Sequence, residues 1–297
     1  MSDGLKEKEE KAIARLKMFQ PRNGEPYWLC YSGGKDSDCI RILADLAGVP
    51  YTIEHNLTTV DAPETVRYIK TIKGVHINRP KYTMWELIVK NKMPPTRLAR
   101  YCCEELKERC GKGRLKITGV RKSESVNRAK NGGLVKILGK EKTVQKQADE
   151  IMDEYEVAPK GGLILNYDND QARRMVEICY RTTSTMVNPI IDWEEADVWE
   201  FLHHYGCESN PLYKCGWSRI GCIGCPMKGP SGMKADFIRY PKYRQAYIHA
   251  FDRLMEAREK AGLKSKSGWT DGESVFKWWI GDDPLQIGME DGGDGDA

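Results

Sequence analysis

The sequence contains no long hydrophobic run. None of its segments approaches the roughly 20 consecutive apolar residues that a membrane-spanning helix needs, and the mean hydropathy is −0.60. The first residues, MSDGLKEKEEKAIARLKMF, lack the apolar core of a secretory signal, which favours a cytoplasmic location. Composition therefore excludes an integral membrane protein, and we expect no membrane partner.

Phenylalanine is scarce, with 5 residues, but 8 tryptophans and 14 tyrosines provide aromatic surface that argues against wholesale disorder. A chain of 297 residues can form one large domain or two small ones with a real core. Its 10 cysteines are poor evidence for a disulfide framework in a protein that is not exported. They are expected to be core residues, metal ligands or reactive thiols.

Strand and helix patterns alternate from residue 26 to residue 120, which predicts an α/β fold with a mostly parallel twisted sheet flanked by helices. We expect a small helical region bearing cysteines to follow it. The predicted segments are an N-terminal helix in 1–24, a nucleotide-binding domain in 25–205, a cysteine-rich helical region in 206–281 and an acidic, disordered tail in 282–297. Glycine pairs bound a less regular stretch, 129–165, which is either an insertion that acts as a lid or an ordinary exposed helix with loops.

A glycine-rich loop, Ser32-Gly33-Gly34-Lys35-Asp36-Ser37, lies between the first predicted strand and an amphipathic helix. Glycines let the backbone approach a ligand closely, and the free N–H groups at the start of a helix favour a phosphate. Lys35 adds a full positive charge, and the two serines add hydroxyl donors. The loop is not a Walker A motif, because Leu29 and Asp36 stand where that motif needs glycine and a hydroxyl residue.

SGGKDS resembles the PP-loop of the adenine nucleotide alpha-hydrolase superfamily, which implies a Rossmann-like fold and an adenine nucleotide as ligand. The segment around Asp61 is similar to an Asp-x-Pro-Glu motif that relatives carry near the nucleotide. The segment that runs from Gly119 through Arg121 and Glu124 to Arg128 resembles the family's G-x-R-x-x-E-S motif. The resemblance assigns nucleotide contacts to Ser32, Gly33, Gly34, Lys35, Asp36, Ser37, Asp61, Gly119 and Arg128, and catalysis to Lys35, Asp36, Arg121 and Glu124.

Four cysteines form a pattern of their own: the adjacent pair Cys102-Cys103, and the pair Cys222 and Cys225 in a CxxC motif. A single metal ion is held awkwardly by two adjacent cysteines, whereas a cubane cluster accepts four thiolates. A Cys₄ zinc site is the alternative for these residues. Cys30, Cys39 and Cys179 are expected to be plain core thiols, and Cys110, Cys207 and Cys215 are left open.

The CC…CxxC pattern resembles the iron–sulfur signature of the phosphoadenylyl-sulfate (PAPS) reductase family. It is also similar to the sulfur-transfer subunit of DNA phosphorothioation systems. The similarity covers most of residues 25–230, including Asn188-Pro189-Ile190. It implies a [4Fe–4S] cluster on Cys102, Cys103, Cys222 and Cys225. True reductases carry a nucleophilic cysteine in a C-terminal segment, whereas no cysteine follows Cys225 here.

Three functions remain open at this point. The first is an enzyme that uses ATP and Mg²⁺, releases pyrophosphate and transfers sulfur to a nucleic-acid or protein acceptor. The second is a reductase of adenylyl sulfate or its 3′-phosphate, which would need a thiol reductant and a catalytic thiol at Cys207 or Cys215. The third is a nucleotide- or nucleic-acid-binding module with structural zinc. A homo-oligomer is compatible with each.

Charge bears on the third function. The net charge is +4, and without the six acidic residues of the tail it is +10. Such a basic body suits an anionic ligand. Basic residues concentrate at Arg97, Arg100, Lys107, Arg109, Lys112, Arg114 and Lys116. They form either a nucleic-acid surface or an ordinary solvated face.

Overall fold

The structure is a computed structural model that describes residues 1–139, 141–158, 161–263 and 268–282. Most of the predicted acidic tail lies outside the described residues. The helices are α1 (Asp3–Met18), α2 (Lys35–Ala47), α3 (Pro63–Thr71), α4 (Met84–Asn91), α5 (Tyr101–Cys103), α6 (Val126–Asn131), α7 (Glu141–Ile151), α8 (Asp170–Cys179), α9 (Glu195–His204), α10 (Gly229–Arg239), α11 (Pro241–Lys260) and α12 (Gly272–Trp279).

Eight strands form one sheet: β1 (Tyr27–Cys30), β2 (Tyr51–Asn56), β3 (Val75–Asn78), β4 (Lys116–Ile117), β5 (Val135–Leu138), β6 (Glu156–Val157), β7 (Leu163–Leu165) and β8 (Ser184–Val187). Their order is β3-β2-β1-β4-β8-β5-β7-β6. Strand β1 pairs in parallel with β2 and β4, and β4 pairs in parallel with β8. The predicted α/β fold with a mostly parallel sheet is confirmed.

Antiparallel pairing occurs beyond β8, on the side of the sheet that ends in β6. Strand β5 runs antiparallel to both β8 and β7, and β6 runs antiparallel to β7. These strands come largely from residues 129–165, the stretch for which a lid or an exposed helix was the expectation. Val135, Ile137 and Leu163 are fully buried there. The stretch therefore extends the sheet, and its role as a lid stays a prediction.

The described part of the chain divides into two compact units, and the predicted segments stay a prediction. As far as the structure describes them, the first unit comprises residues 1–55, 63–78 and 110–220, and the second comprises residues 56–62, 79–109 and 221–282. The first unit contains the sheet and helix α1, whose Leu5, Leu16 and Phe19 are buried in the same core as Leu29 of β1. Helix α1 has an apolar face, and it packs against the core of the first unit because this face is then removed from water.

The helices of the second unit are α4, α5, α10, α11 and α12. Aromatic side chains fill its centre: Tyr247 of α11 lies 4.7 Å from Trp279 of α12, and Phe237 of α10 lies 5.5 Å from Tyr247, between ring centroids. Edge-on and tilted aromatic pairs of this kind add to the stabilisation from buried apolar area. No helix within the described residues is both long and apolar enough to cross a membrane.

Candidate functional site

The loop from Ser32 to Ser37 connects β1 to α2 at the carboxyl end of the parallel strands, where open α/β sheets bind ligands. Gly33 has a φ of +73°, and a Cβ at this position would lie 2.9 Å from Cγ1 of Ile69. Only glycine fits that conformation and that space. The amide of Gly34 donates to Oγ of Ser37 at 3.1 Å, which closes the loop onto the first turn of α2.

Lys35 is the first residue of α2 and is almost completely buried. Its backbone N–H donates to the hydroxyl of Tyr213 at 2.9 Å. Its ammonium group donates to the carbonyl oxygen of Ser218 at 3.2 Å and lies 3.2 Å from Oε1 of Glu195. Both donors through which Lys35 could hold a phosphate therefore already have partners within the same unit.

Arg121 lies behind Lys35 and is only 2 % exposed. Its guanidinium donates to Oδ1 of Asp36 at 2.7 Å and to Oε2 of Glu195 at 2.8 Å. Burial disfavours the charged form of Arg121, but the two carboxylates outweigh it and raise the pKa of Arg121. Burial likewise opposes ionisation of Glu195, whereas Lys35 and Arg121 hold its pKa below the usual value. Two cations and two carboxylates thus form one compact network.

The other predicted residues of the 119–128 segment lie in the same unit as the loop. Gly119 allows a close approach, because a Cβ there would lie 2.8 Å from the carbonyl oxygen of Asp36. The carboxylate of Glu124 accepts from the backbone of Arg121 at 3.2 Å and pairs with Arg128. Its other oxygen lies 3.7 Å from the guanidinium of Arg219. Glu124 and Arg128 therefore neutralise each other.

Asp61 belongs to the second unit, whereas the other residues of the nucleotide assignment belong to the first. Its carboxylate accepts from the amide of Thr58 at 2.7 Å and interacts with the ammonium group of Lys107. Thr58 in turn accepts a hydrogen bond from the thiol of Cys222 at 3.5 Å. Asp61 therefore interacts with Thr58 and Lys107, two residues that line the cavity of the cysteines.

The four cysteines of the metal prediction line one small cavity in the second unit. The other residues at its wall are Thr58, Met84, Pro95, Leu106, Lys107, Ile223, Gly224, Pro226 and Tyr247. Gly224 has a φ of +69°, which turns the chain between Cys222 and Cys225 so that both reach the cavity. Helix α5 continues into a π-helical turn, Glu104–Glu108, which is a rare geometry often found at functional sites.

Cations surround the cysteine pair. A hydrogen bond from the Cys102 thiol, with further contributions from Arg100 and Lys107, lowers the pKa of Cys103, while the same bond raises the pKa of Cys102. The Cys222 thiol, followed by Asp61 and Cys103, raises the pKa of Lys107. Lys107 is an exposed residue, and it lines the same cavity as Cys222. The cavity therefore favours thiolate at Cys103 and a charged amine beside Cys222.

Within the described parts of the chain, no three His, Cys, Asp or Glu side chains are arranged so that they could hold a metal ion as they lie. The fold does bring together the four cysteine sulfurs that could act as metal ligands. Four thiols, which come from two segments far apart in the sequence, converge on a cavity that Lys107 also lines, and Arg100 donates to one of them, Cys103. Soft thiolate donors of this number suit an iron–sulfur cluster or zinc.

The remaining cysteines have separate environments. Cys39 and Cys179 are buried, as expected for core thiols, whereas Cys30 is half-buried. Burial raises the pKa of Cys207, which lies beside Asp38 and Arg41, so this thiol is not activated as a nucleophile. Cys215 is exposed in the short helical turn Tyr213–Cys215.

Several charges of the basic segment 97–116 have partners inside their own unit. Arg109 pairs with Glu105 at 2.7 Å, Arg114 pairs with Glu25 at 3.3 Å, and Lys116 is buried with its ammonium group 3.3 Å from Ser184. These basic side chains already have partners within the protein. They therefore offer less positive charge to a nucleic acid than the sequence suggests.

Sequence reasoning missed three residues that contact the loop. Glu195 bridges Lys35 and Arg121. Tyr213 caps the amide of Lys35, and Asn210, which is fully buried, donates to the carbonyl of Gly33 at 3.0 Å. The available signal was the NPLY sequence before the CxxC motif, which pairs an amide side chain with a hydroxyl at fixed spacing.

The comparisons with solved structures give weak likenesses in fold. PAPS reductase from Candida auris in a phosphate complex is 14% identical, with a TM-score of 0.42 over 75% of this chain and 96% of that one. FMN adenylyltransferase from Candida glabrata is 12% identical, with a TM-score of 0.43 over 74% of this chain and 62% of that one.

Curated relatives are similar over very different lengths. An uncharacterized protein of Methanocaldococcus jannaschii is 25% identical over 284 residues, which is 91% of this chain and 49% of that protein. The chain therefore spans about half the length of this relative. Adenosine 5′-phosphosulfate reductase of Allochromatium vinosum is 44% identical over 39 residues, which is 13% of this chain and 15% of that protein. The model of the phosphoadenosine phosphosulfate reductase domain matches residues 26–228, so the chain belongs to that family.

Proposed function

We propose that this chain is an adenine-nucleotide enzyme of sulfur metabolism. In this proposal it binds ATP at Ser32–Ser37, activates an acceptor by adenylation with release of pyrophosphate, and carries a four-cysteine iron–sulfur cluster. The observation that supports it best is the convergence at the start of α2, where the amide and ammonium of Lys35 point into one small region backed by Arg121. Such an array stabilises charge on phosphates that depart.

Each loop residue has a role in this proposal. Lys35 and the N–H groups at the start of α2 bind the phosphates in place of the oxygen atoms of Tyr213 and Ser218 that Lys35 now contacts, and the hydroxyls of Ser32 and Ser37 supply further donors. Arg121 is buried and already bonded to Asp36, so we assign it to positioning rather than to phosphate binding. Asp36 keeps one oxygen free of that bond, and a single carboxylate plus substrate phosphates is a normal ligand set for Mg²⁺. Bound Mg²⁺ would offset phosphate charge.

The cysteine cavity fits an iron–sulfur cluster by its donor chemistry. Cys102, Cys103, Cys222 and Cys225 would hold it, and it would supply electron transfer or a site for sulfur. Arg100 donates to the Cys103 sulfur at 3.5 Å, and Lys107 lines the same cavity as Cys222. A cluster with four thiolates is anionic, so these cations would stabilise it. A structural zinc ion uses the same donors and remains the alternative occupant.

The first test is metal content. Anaerobically purified protein should be brown and hold about four irons per chain, and Cys222→Ser should lose most of that iron. The matched control is Cys179→Ser, because Cys179 is a buried thiol of α8 in the other unit. Colourless wild-type protein with one zinc per chain would refute the cluster and leave the zinc alternative standing.

The second test is nucleotide chemistry. With ATP, Mg²⁺ and candidate acceptors, the protein should release pyrophosphate, and Lys35→Ala should lower both ATP affinity and release by at least about tenfold. The control is Lys8→Ala, since Lys8 pairs with Asp197 at 2.5 Å on the surface. An unchanged affinity for ATP in Lys35→Ala would show that the phosphate site lies elsewhere.

One observation favours a second candidate, a reductase of adenylyl sulfate. Cys215 is exposed and lies two residues from Tyr213, whose hydroxyl reaches the loop. A thiolate there could attack the sulfur of adenylyl sulfate, break its bond to the phosphate oxygen and release AMP. A dithiol reductant would then free sulfite and become a disulfide. Production of sulfite that is lost in Cys215→Ser would establish this reaction.

A further inference from the structure

Three groups of the first unit occupy the donors of the phosphate-binding loop. The hydroxyl of Tyr213 takes the N–H of Lys35, the carbonyl of Ser218 takes its ammonium group, and Glu195 lies 3.2 Å from the same ammonium. All three are oxygen acceptors. A phosphate chain offers the same kind of atom to the same donors, so the two cannot bind together.

Tyr213 and Ser218 belong to one segment, Asn210–Ile220, which we call the strap. Its beginning is firmly fixed: Asn210 is fully buried and donates to the carbonyl of Gly33 and to Thr65, each at 3.0 Å. Beyond it, Leu212 is buried. The far part, residues 214–216, 218 and 219, is exposed.

The difference in burial between the two ends of the strap determines which end can move. Segments with few buried apolar contacts open at low free energy, whereas a buried, hydrogen-bonded residue resists opening. Near the far end of the strap, Arg219 is largely exposed and pairs with Glu124 at 3.7 Å. Exposed pairs of this kind contribute little stability. The strap can therefore swing away from the loop while Asn210 stays in place.

Glu195 belongs to a helix and not to the strap, but it contacts the same ammonium group of Lys35. It is the first residue of α9, and its carboxylate bridges Lys35 and Arg121. Its side chain is 55% exposed, so it can turn outward into water without a desolvation cost. The positive charge that it neutralises would then be available to an incoming anion.

We propose that the strap and Glu195 are internal stand-ins for phosphate oxygens, which a polyphosphate ligand must displace in order to bind. This inference rests on the proposed function, because it concerns the same loop. It adds that the ligand must replace acceptors at the Lys35 amide, at the Lys35 ammonium and beside Arg121. A pyrophosphate group is longer than a single phosphate and carries more negative charge, so we expect it to compete better for these positions.

The test measures binding of ATP, inorganic pyrophosphate and AMP to the full chain by calorimetry. Tyr213→Phe removes one competing oxygen and Glu195→Gln removes the competing negative charge, so each should tighten pyrophosphate and ATP binding by about three- to tenfold, and AMP by less. The matched controls are Tyr205→Phe, which loses a hydroxyl bonded to Glu9, and Glu200→Gln, on the same helix as Glu195. Both should bind as the wild type does.

Hydrogen exchange gives an independent readout. On addition of pyrophosphate, amides of residues 32–38 should exchange more slowly, while amides of the strap, residues 212–219, should exchange faster. Slower exchange in the strap would mean that it closes on the ligand, and this would overturn the inference. Weaker or unchanged pyrophosphate binding by both variants, with binding by the wild type, would also overturn it.

The proposed function and this inference fail in different ways. If neither the wild type nor the variants bind ATP or pyrophosphate, the loop is not a phosphate site and both are refuted. If the wild type binds and the variants gain nothing, only the displacement is refuted. If only the variants bind ATP or pyrophosphate, both the proposed function and the displacement are supported. Tyr213 and Glu195 would then be the reason why the wild type does not bind.

Discussion

Arg121 illustrates how burial changes the role of a residue. In the sequence it is a charged fork suited to phosphate oxygens, and the family motif assigns it to catalysis. In the structure it is 2 % exposed and bonded to Asp36, Ser123 and Glu195. A charge is stable in such a place only when paired. Arg121 therefore holds the two carboxylates in position beside Lys35.

Asp38, four residues after Gly34, is a second buried charge near the loop. Its two carboxylate oxygens accept from the hydroxyls of Tyr31 at 2.5 Å and Tyr68 at 3.1 Å. Burial raises the pKa of Asp38 to about 6, although the two tyrosine hydroxyls and Arg41 act in the opposite direction. The folded protein thus binds a proton at this carboxyl more tightly than the unfolded chain does.

The sign of the resulting pH effect follows from linkage. Because the folded pKa exceeds the unfolded value, the contribution of Asp38 to stability is full below about pH 4 and is lost as the pH rises through 6. Asp38→Asn removes the titrating carboxyl and therefore this loss of stability. We expect the free energy of unfolding of Asp38→Asn to rise relative to that of the wild type as the pH increases from 4 to 6.5. Urea unfolding followed by circular dichroism measures both proteins across that range.

The matched control for Asp38 is Asp45→Asn. Asp45 also accepts a hydrogen bond from a tyrosine hydroxyl, that of Tyr51, but more than half of its side chain is exposed. Its substitution should shift stability by a similar amount at every pH. A stability difference between Asp38→Asn and wild type that stays constant from pH 4 to 6.5 would contradict the prediction.

At the scale of elements, polar pairing as well as apolar packing attaches α1 to the first unit. Arg15 of α1 is 5 % exposed and donates to the carbonyl of Pro189 at 2.8 Å and to both oxygens of Asp192 at 2.9 Å. A bidentate pair of this geometry fixes orientation as well as adding energy. The helix therefore has one defined docking position.

We expect Arg15→Met to lower the free energy of unfolding by about 2 kcal/mol, because it removes charge-assisted hydrogen bonds from a buried position. Lys11→Met is the control: Lys11 approaches the same Asp192 at 3.4 Å, but its side chain is about half exposed. That change should cost less than about 1 kcal/mol. Equal losses in urea unfolding would show that Arg15 contributes no more than a surface pair.

At the scale of the whole molecule, the cysteines connect distant parts of the chain. Cys103 and Cys222 are 119 residues apart in the sequence, yet they line one cavity. A cluster on four such thiolates would constrain the unfolded chain, by analogy with a disulfide, by about 4 to 5 kcal/mol. Its ligand bonds would add to this.

Loading with iron and sulfide under anaerobic conditions should therefore raise the melting temperature well above that of protein stripped with chelator and oxidant. Cys102→Ser should abolish the increase, and Cys39→Ser, at a buried thiol outside the cavity, should retain it. Differential scanning calorimetry measures all four samples. An identical melting temperature with and without iron, at full loading, would contradict a role of the cluster in holding these segments.

The sequence by itself determined the local features. Alternation of apolar strands with amphipathic helices predicted β1, α2, β2 and the α/β class, because these patterns depend on neighbouring residues. SGGKDS indicated the loop for the same reason: its glycines and its place between strand and helix are local. The cysteine spacing named four residues but could not show that they share a cavity.

Only the tertiary structure decided what the charges of the site do. Glu195, Tyr213 and Ser218 meet Lys35 from positions about 160 to 183 residues away, and no local pattern encodes such contacts. Likewise, burial decided that Arg121 positions carboxylates, and pairing order decided that residues 129–165 extend the sheet. Burial and long-range pairing depend on how the whole chain packs, which the spacing of residues along it does not specify.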